Sequence, residues 1–136
     1  MGYTHYWRQN GEIPTENWDA ITKCVKHLYK NLPNGIKIQV EWDNAESPVA
    51  NAKEIRFNGV GEAGHETFLL EKNPSSHFEF CKTARKPYDL VVQMVLTIIY
   101  HYASKYISVS SDGGPEDWEI CDDECQKMFG FSGIKL

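Results

Sequence analysis

Several features that mark common protein classes are missing from this 136-residue sequence. Its longest apolar stretch, LVVQMVLTIIYHYA, is shorter than the roughly 20 apolar residues that cross a bilayer. The N-terminal residues MGYTHYWRQNG show no cationic segment followed by an apolar run, so we expect no signal peptide. Cations are too few for a broad basic face, with 14 Lys and Arg against 19 Asp and Glu, which disfavours duplex nucleic acid as a partner. These absences predict a cytoplasmic protein without a membrane partner.

The four cysteines form no recognisable metal or redox motif. The sequence contains neither a CxxC pair nor the Cys and His spacing of a zinc module. Cys121 and Cys125 are four residues apart, so on a helix they would share a face, but the second pair of ligands is missing. We therefore predict reduced thiols, no bound metal and no cofactor.

Hydrophobic periodicity predicts an alternation of strands and helices. Residues alternate in the manner of strands at 3–9, 36–42, 54–60, 66–72 and 107–114, and HFEFCK is a further short strand. Helices are predicted from Thr15, as N-cap, to about Leu32, from near Pro87 to about Tyr106, and over PEDWEICDDECQKMFG. This order predicts a single α+β domain over residues 1–136, with a largely antiparallel sheet of about four to six strands and three helices on one face.

The second predicted helix is apolar on nearly all sides. Its polar residues form one narrow stripe that begins at Asp89 and includes Gln93 and Thr97. A helix of this kind must be covered on most of its surface. It is therefore either the central helix of the core or part of a subunit interface, and a homodimer stays open.

The segment FCKTARKPYD places cations next to the start of that helix. Lys82, Arg85 and Lys86 lie within five positions, and Thr83 adds a hydroxyl. Free N–H groups and partial positive charge at a helix N-terminus favour an anion, and arginine supplies a bidentate donor. The alternatives are a solvated turn, a terminus capped by Asp89, or pairing of these cations with the acidic stretch 112–124.

The first strand offers a second type of contact. Alternation places Tyr3, His5 and Trp7 on one face, where they could stack on a base or another ring. The competing interpretation is an aromatic strand that faces the core.

Two apparent motifs carry less weight. Residues 59–64 match G-x-G-x-x-G, but a strand pattern follows where a dinucleotide site needs a helix, so we expect the glycines to shape a hairpin loop. His5, His65 and Cys81, with Glu66 or Asp112 as orienting acid, suggest a thiol hydrolase. No family signature surrounds Cys81, and a cysteine at the end of a strand is commonly a small buried apolar residue.

Four ordered blocks, MGYTHYW, EIRFNGVGEAGHETF, FCKTARKPYDLVV and SVSSDG followed by DW, resemble a family of small bacteriophage and prophage proteins. The resemblance extends from residue 1 to about residue 118 and implies a phage setting without a particular activity. It draws attention to polar residues at strand ends, namely Asn58, His65, Lys82, Arg85, Ser110 and Asp112. If the strands share a sheet, these ends are expected to converge on a pocket roofed by the start of the second helix.

These patterns favour a small phage protein that binds an anionic small molecule, a nucleotide or nucleotide-like signal, without turning it over. Sequestering a signal of host defence would suit such a protein. The predicted ligand contacts are Tyr3, His5, Trp7, Asn58, His65, Lys82, Thr83, Arg85, Lys86, Ser110 and Asp112. One alternative is an inhibitor of a host enzyme that uses the acidic C-terminal stretch, and another is a hydrolase or nucleic-acid-processing enzyme.

Overall fold

The computed structural model describes residues 2–136, and within them the predicted strands and helices form in the predicted order. The strands are β1 (Thr4–Gln9), β2 (Ile38–Gln39), β3 (Val49–Ala50), β4 (Glu54–Gly59), β5 (Phe68–Glu71), β6 (Phe78–Lys82) and β7 (Ile107–Ser111). The α-helices are α1 (Thr15–Lys30), α2 (Asp89–Ala103) and α3 (Glu119–Phe129). The α+β fold class is confirmed, although the strands divide between two antiparallel sheets instead of one.

The first sheet has β1 at its centre. Its strand order is β6-β1-β7, and both pairings are antiparallel. Tyr6 lies opposite Phe80 on one side and opposite Ser110 on the other. The carboxyl ends of β6 and β7 therefore meet the amino end of β1 at one edge of the sheet.

The second sheet is organised around β4. The hairpin predicted between β4 and β5 is present, with antiparallel register from Glu54 opposite Glu71 to Phe57 opposite Phe68. The short strands β2 and β3 also pair with β4 in antiparallel orientation. Apolar side chains of both sheets and of the three helices join one core cluster.

Helix α2 is the central helix of that core. Every residue from Leu90 to Ile99 is buried, and the helix packs against α1, α3 and β7. The buried polar stripe is satisfied internally, because Gln93 Nε2 donates to the carbonyl of Asp117 and Thr97 Oγ1 donates to the carbonyl of Gln93. The chain itself thus covers the apolar surface of α2.

Several element boundaries differ from prediction. The strand predicted over 36–42 is reduced to β2, because the chain turns back on itself: Val40 N–H bonds to the carbonyl of Glu46. The predicted loop that follows contains β3. Pro14, not Thr15, is the N-cap of α1, since its carbonyl accepts the hydrogen bond from Trp18 N–H. Among the residues described, no helix combines the length and hydrophobicity that a bilayer crossing requires.

Candidate functional site

One face of the β6-β1-β7 sheet carries exposed aromatic and cationic side chains. We call it the open face and define it by the outward residues Tyr6, Arg8, Phe78, Phe80, Lys82, Ser108 and Ser110. Tyr6 sits between Phe80 and Ser110, and Arg8 sits between Phe78 and Ser108. The alternate residues of the same strands point into the core, as strand geometry requires.

The aromatic rings of the open face form a continuous group. Phe78 and Phe80 remain 41% and 53% exposed, and their ring centroids are 6.5 Å apart. Tyr6 stacks beside Phe78 at 6.1 Å with an interplanar angle of 20°. Large apolar side chains that stay exposed next to one another mark a binding surface more often than scattered single residues do.

Cations border these rings. The Arg8 guanidinium lies 4.8 Å from the centroid of Phe78, and Lys82 continues the outward row of β6. The carboxylate at this edge, Asp112, accepts hydrogen bonds from Thr4 N–H and Tyr6 O–H, both at 3.0 Å. The hydrogen bond to Asp112 raises the pKa of Tyr6, so this phenol stays neutral. The open face therefore carries two cations, and the carboxylates that border it, those of Asp112 and Glu66, lie at its Lys82 end.

The ring-stacking residues predicted on β1 occupy the opposite face of that strand. Tyr3, His5 and Trp7 are 4%, 0% and 2% exposed, and Trp7 packs against Phe68 with centroids 5.0 Å apart. His5 and Trp7 are enclosed, whereas Tyr3 lines a cleft beside Arg85, where the Arg85 guanidinium already lies over its ring. The outward Tyr6 takes the accessible position.

The predicted cations at 82–86 lie at one edge of the open face. Arg85 stacks on the Tyr3 ring, with Cζ 3.9 Å from the centroid, and pairs with Asp117 at 2.9 Å. Ala84 and Arg85 both have positive φ values, +52° and +57°, which L-residues adopt at a cost of about 1–2 kcal/mol each. Lys86 is half-buried and Thr83 is fully buried. The predicted pairing with the acidic stretch is thus present at Asp117.

The start of α2 offers less to an anion than predicted. The helix begins at Asp89 and not at Pro87. The N–H of Asp89 bonds to the carbonyl of Lys86, and the N–H groups of Val91 and Val92 bond to the carbonyl of Tyr88. Asp89 also places a carboxylate in the first turn, although its side chain does not cap the helix.

A buried polar cluster joins this edge of the sheet to α2. We call Thr83, His5, Asp89 and Ser111 the His5 cluster. His5 Nδ1 lies 2.8 Å from Ser111 Oγ, and His5 Nε2 lies 2.7 Å from Asp89 Oδ1. Thr83 Oγ1 donates to the same carboxylate oxygen at 2.5 Å. The edges of the Tyr3 and Trp118 rings complete the enclosure of His5.

The direction of the hydrogen bonds follows from the groups available. Ser111 Oγ accepts from Gly113 N–H at 2.9 Å and faces Trp118 Nε1–H at 3.4 Å, so its lone pairs are used. Its own O–H is then free to donate to His5 Nδ1, and Nε2–H donates to Asp89. This arrangement brings together a hydroxyl, an imidazole and a carboxylate, and Ser111 is not among the predicted ligand contacts.

Asn58, near the end of β4, contacts the hairpin loop that leads to β5 and contains His65. Asn58 is fully buried, and its Oδ1 accepts from the N–H groups of Gly59 and His65 at 2.7 and 3.1 Å. His65 is exposed in the same loop. The loop touches the edge near Lys82, because Glu66 N–H bonds to the Lys82 carbonyl. The hydrogen bonds of Asn58 thus hold the loop in place from inside. After the G-x-G-x-x-G match the chain continues into β5 and not into a helix, as the sequence predicts.

The predicted convergence of strand ends is therefore partial. Lys82, Arg85, Ser110 and Asp112 gather at the end of β6, β1 and β7, where Ser110 and Asp112 are exposed. Asn58 lies inside the second sheet and does not reach that surface.

Three of the four cysteines, Cys81, Cys121 and Cys125, are buried, and Cys24 is partly exposed. Burial raises the pKa of the Cys81 thiol to about 12, which makes it a poor nucleophile at neutral pH. Its sulfur contacts the Glu66 carbonyl and Tyr88 hydroxyl, not His5, whose ring nitrogens have other partners. The sulfurs of Cys121 and Cys125 are 4.0 Å apart in the core. Within residues 2–136, no three His, Cys, Asp or Glu side chains are grouped as metal ligands.

The aromatic residues of the open face carried a usable signal in the sequence. The alternation of Phe78, Glu79 and Phe80 ahead of an apolar Cys81 indicates that the two phenylalanines share the side opposite to the cysteine. The pattern does not identify the partner strand that places Tyr6 and Arg8 beside them.

Comparison of the chain with protein-family models, curated proteins and solved structures found no match.

Proposed function

We propose that the open face binds a nucleotide, free or within a single strand, by stacking its base on the exposed aromatic rings. The observation that supports this most is the grouping of Phe78 and Phe80 with Arg8 and Lys82 on an uncovered sheet. Single-strand and nucleotide sites combine aromatic platforms with cations that neutralise phosphate. Such a site needs only local positive charge, so a net charge of −5 does not oppose it. In a phage setting, binding without turnover would sequester a nucleotide signal.

The test is binding of adenosine, ATP and a fluorescein-labelled oligothymidylate to the wild type and to Phe80→Ala. Loss of one stacked ring removes about 1–3 kcal/mol per base, so we expect affinity to fall about fivefold or more. Titration calorimetry measures the small molecules and fluorescence anisotropy measures the oligonucleotide. A preference for ATP indicates a free nucleotide, and a preference for the oligonucleotide indicates a strand.

Trp42 provides the matched control because its exposure, 54%, is close to the 53% of Phe80, and it lies outside the open face. Trp42→Ala is expected to leave affinity unchanged. Equal losses in both variants, or no binding of any of the three compounds to the wild type, would contradict the proposed function.

The His5 cluster favours a hydrolase as a second candidate function. Once the longer hydrogen bond from Trp118 Nε1–H is released, Ser111 Oγ would attack an ester carbonyl while its proton passes to His5 Nδ1, and the alcohol would leave with that proton. Water would then cleave the acyl-serine by the same route. Ser111 and Asp89 are the partly exposed members of the cluster, and His5 is fully enclosed.

A fluorophosphonate probe distinguishes a reactive serine from a structural one. If the cluster is catalytic, the probe labels the wild type and Ser110→Ala but not Ser111→Ala, with mass spectrometry as the readout. Ser110 is the neighbouring serine on the open face and serves as the control. Labelling of the wild type that is no faster than labelling of Ser111→Ala assigns the cluster a structural role.

A further inference from the structure

A second feature borders the open face at the end opposite to Lys82. A cleft of about 560 Å³ is lined by Arg8, His77 and Lys105, together with Asn10, Ser104 and Ser108 among other residues. We call it the cationic cleft. Its volume falls in the range of about 300–1,000 Å³ that is usual for small-molecule sites. Sequence reasoning did not single out any of these residues.

Charge separates this cleft from the others on the molecule. None of the described residues that line it is acidic. By contrast, the cleft of about 420 Å³ beside Arg85 contains Asp112. The cleft of about 330 Å³ on the other side of Arg85 contains Asp89 and Asp117. An anion would meet carboxylates at the predicted 82–86 site, whereas the cationic cleft presents cations together with amide and hydroxyl groups.

The walls of the cationic cleft are fixed by backbone hydrogen bonds. Asn10 N–H bonds to the Tyr106 carbonyl, and Asn10 Nδ2 donates to the Lys105 carbonyl, both at 3.1 Å. His77 Nδ1 lies 2.8 Å from the carbonyl of Gln9. A carbonyl only accepts, so Nδ1 carries the proton and Nε2 is the ring nitrogen left for another contact. The site is therefore formed before a ligand arrives, which lowers the entropic cost of binding.

Arg8 links the cleft to the aromatic group. It lines the cleft, and its guanidinium lies over the Phe78 ring. We propose that the cationic cleft binds the phosphate of the nucleotide whose base stacks on the open face; this inference rests on the proposed function. The phosphate then lies near Lys105 and His77, and the base extends over Phe78 and Phe80. The nucleotide is thereby oriented with its phosphate away from Lys82.

The test separates the phosphate contribution from that of the base. The wild type is expected to bind ATP about tenfold or more tightly than adenosine, and this ratio is expected to fall with added salt. Lys105→Ala should reduce the ratio severalfold and leave the affinity for adenosine unchanged. Lys86→Ala, at the opposite edge, is the matched control and should leave both affinities unchanged.

The possible results test the phosphate assignment and the stacking site separately. The phosphate assignment is overturned, and the stacking site is retained, if adenosine binds and ATP binds no more tightly than adenosine. The same conclusion follows if Lys86→Ala, and not Lys105→Ala, lowers the affinity for ATP relative to that for adenosine. If neither adenosine nor ATP binds the wild type, the proposed function and this inference both fall. A ratio that depends on Lys105 alone supports the cationic cleft as the phosphate site.

Discussion

Replacement of His5 by alanine is expected to lower the free energy of unfolding by about 4 kcal/mol. His5 is fully buried and bonds to Ser111 and Asp89. Alanine leaves both partners without the imidazole, and the Asp89 carboxylate keeps only the Thr83 hydroxyl as a side-chain donor, beside an empty space. The variant also loses the ring contacts with Tyr3 and Trp118. Urea unfolding followed by tryptophan fluorescence measures the change.

His65→Ala is the control for this prediction. His65 is exposed in the hairpin loop, and surface substitutions usually change stability by about 0.5 kcal/mol or less. A loss below about 1 kcal/mol for His5→Ala would show that the cluster relaxes or admits water, and that it does not hold the sheet to α2.

Gly64→Ala is expected to destabilise the protein by about 2–3 kcal/mol through overpacking. A Cβ atom at this position would approach Asn58 Oδ1 and the Gly59 carbonyl oxygen more closely than 3.0 Å. Neither atom can easily withdraw, because Asn58 Oδ1 already holds the N–H groups of Gly59 and His65. Relief of the clash must open the loop. Thermal unfolding together with urea titration measures the loss.

Gly114→Ala is the matched glycine substitution. Nothing lies within 4 Å of a Cβ atom at Gly114, and its φ of −91° is open to any residue. We expect its stability to stay within about 0.5 kcal/mol of the wild type. If Gly64→Ala is equally mild, the loop adapts, and the close contact of Gly59 with Gly64 is not needed for the fold.

Hydrophobic periodicity predicted best the elements whose burial follows a simple pattern along their length. The all-round apolar pattern of α2 and the alternation in β4 and β5 each match the burial that the structure shows. Residues 36–42 alternate as well, yet only Ile38 and Gln39 pair with β4. An alternating segment becomes a full-length strand only if a partner strand lies along all of it. Tertiary structure decides whether such a partner is present, so alternation alone does not predict the length of the strand.

The candidate site was harder to predict for a physical reason. Strand alternation places Tyr3 and Trp7 on one face of β1 and Tyr6 on the other. Because both faces carry aromatic rings, the alternation does not indicate which face is buried in the core. Packing on the inward side decides this, together with the pairing of β1 with β6. Similarly, nothing local in the sequence relates His5 to Asp89 or Ser111, which are 84 and 106 residues away.

The central position of β1 has a consequence for the time course of folding. This strand is made before the two strands that flank it, and its hydrogen-bonded partner Ser111 follows 106 residues later. Closing a loop of that length must precede the contacts that compensate for it, so sheets with such connections form slowly. On the ribosome, β1 has no sheet partner until β6, at residues 78–82, has emerged, and its second partner β7 follows only at residues 107–111. Assembly of the β6-β1-β7 sheet, and with it the open face, is therefore a late event in the folding of this protein.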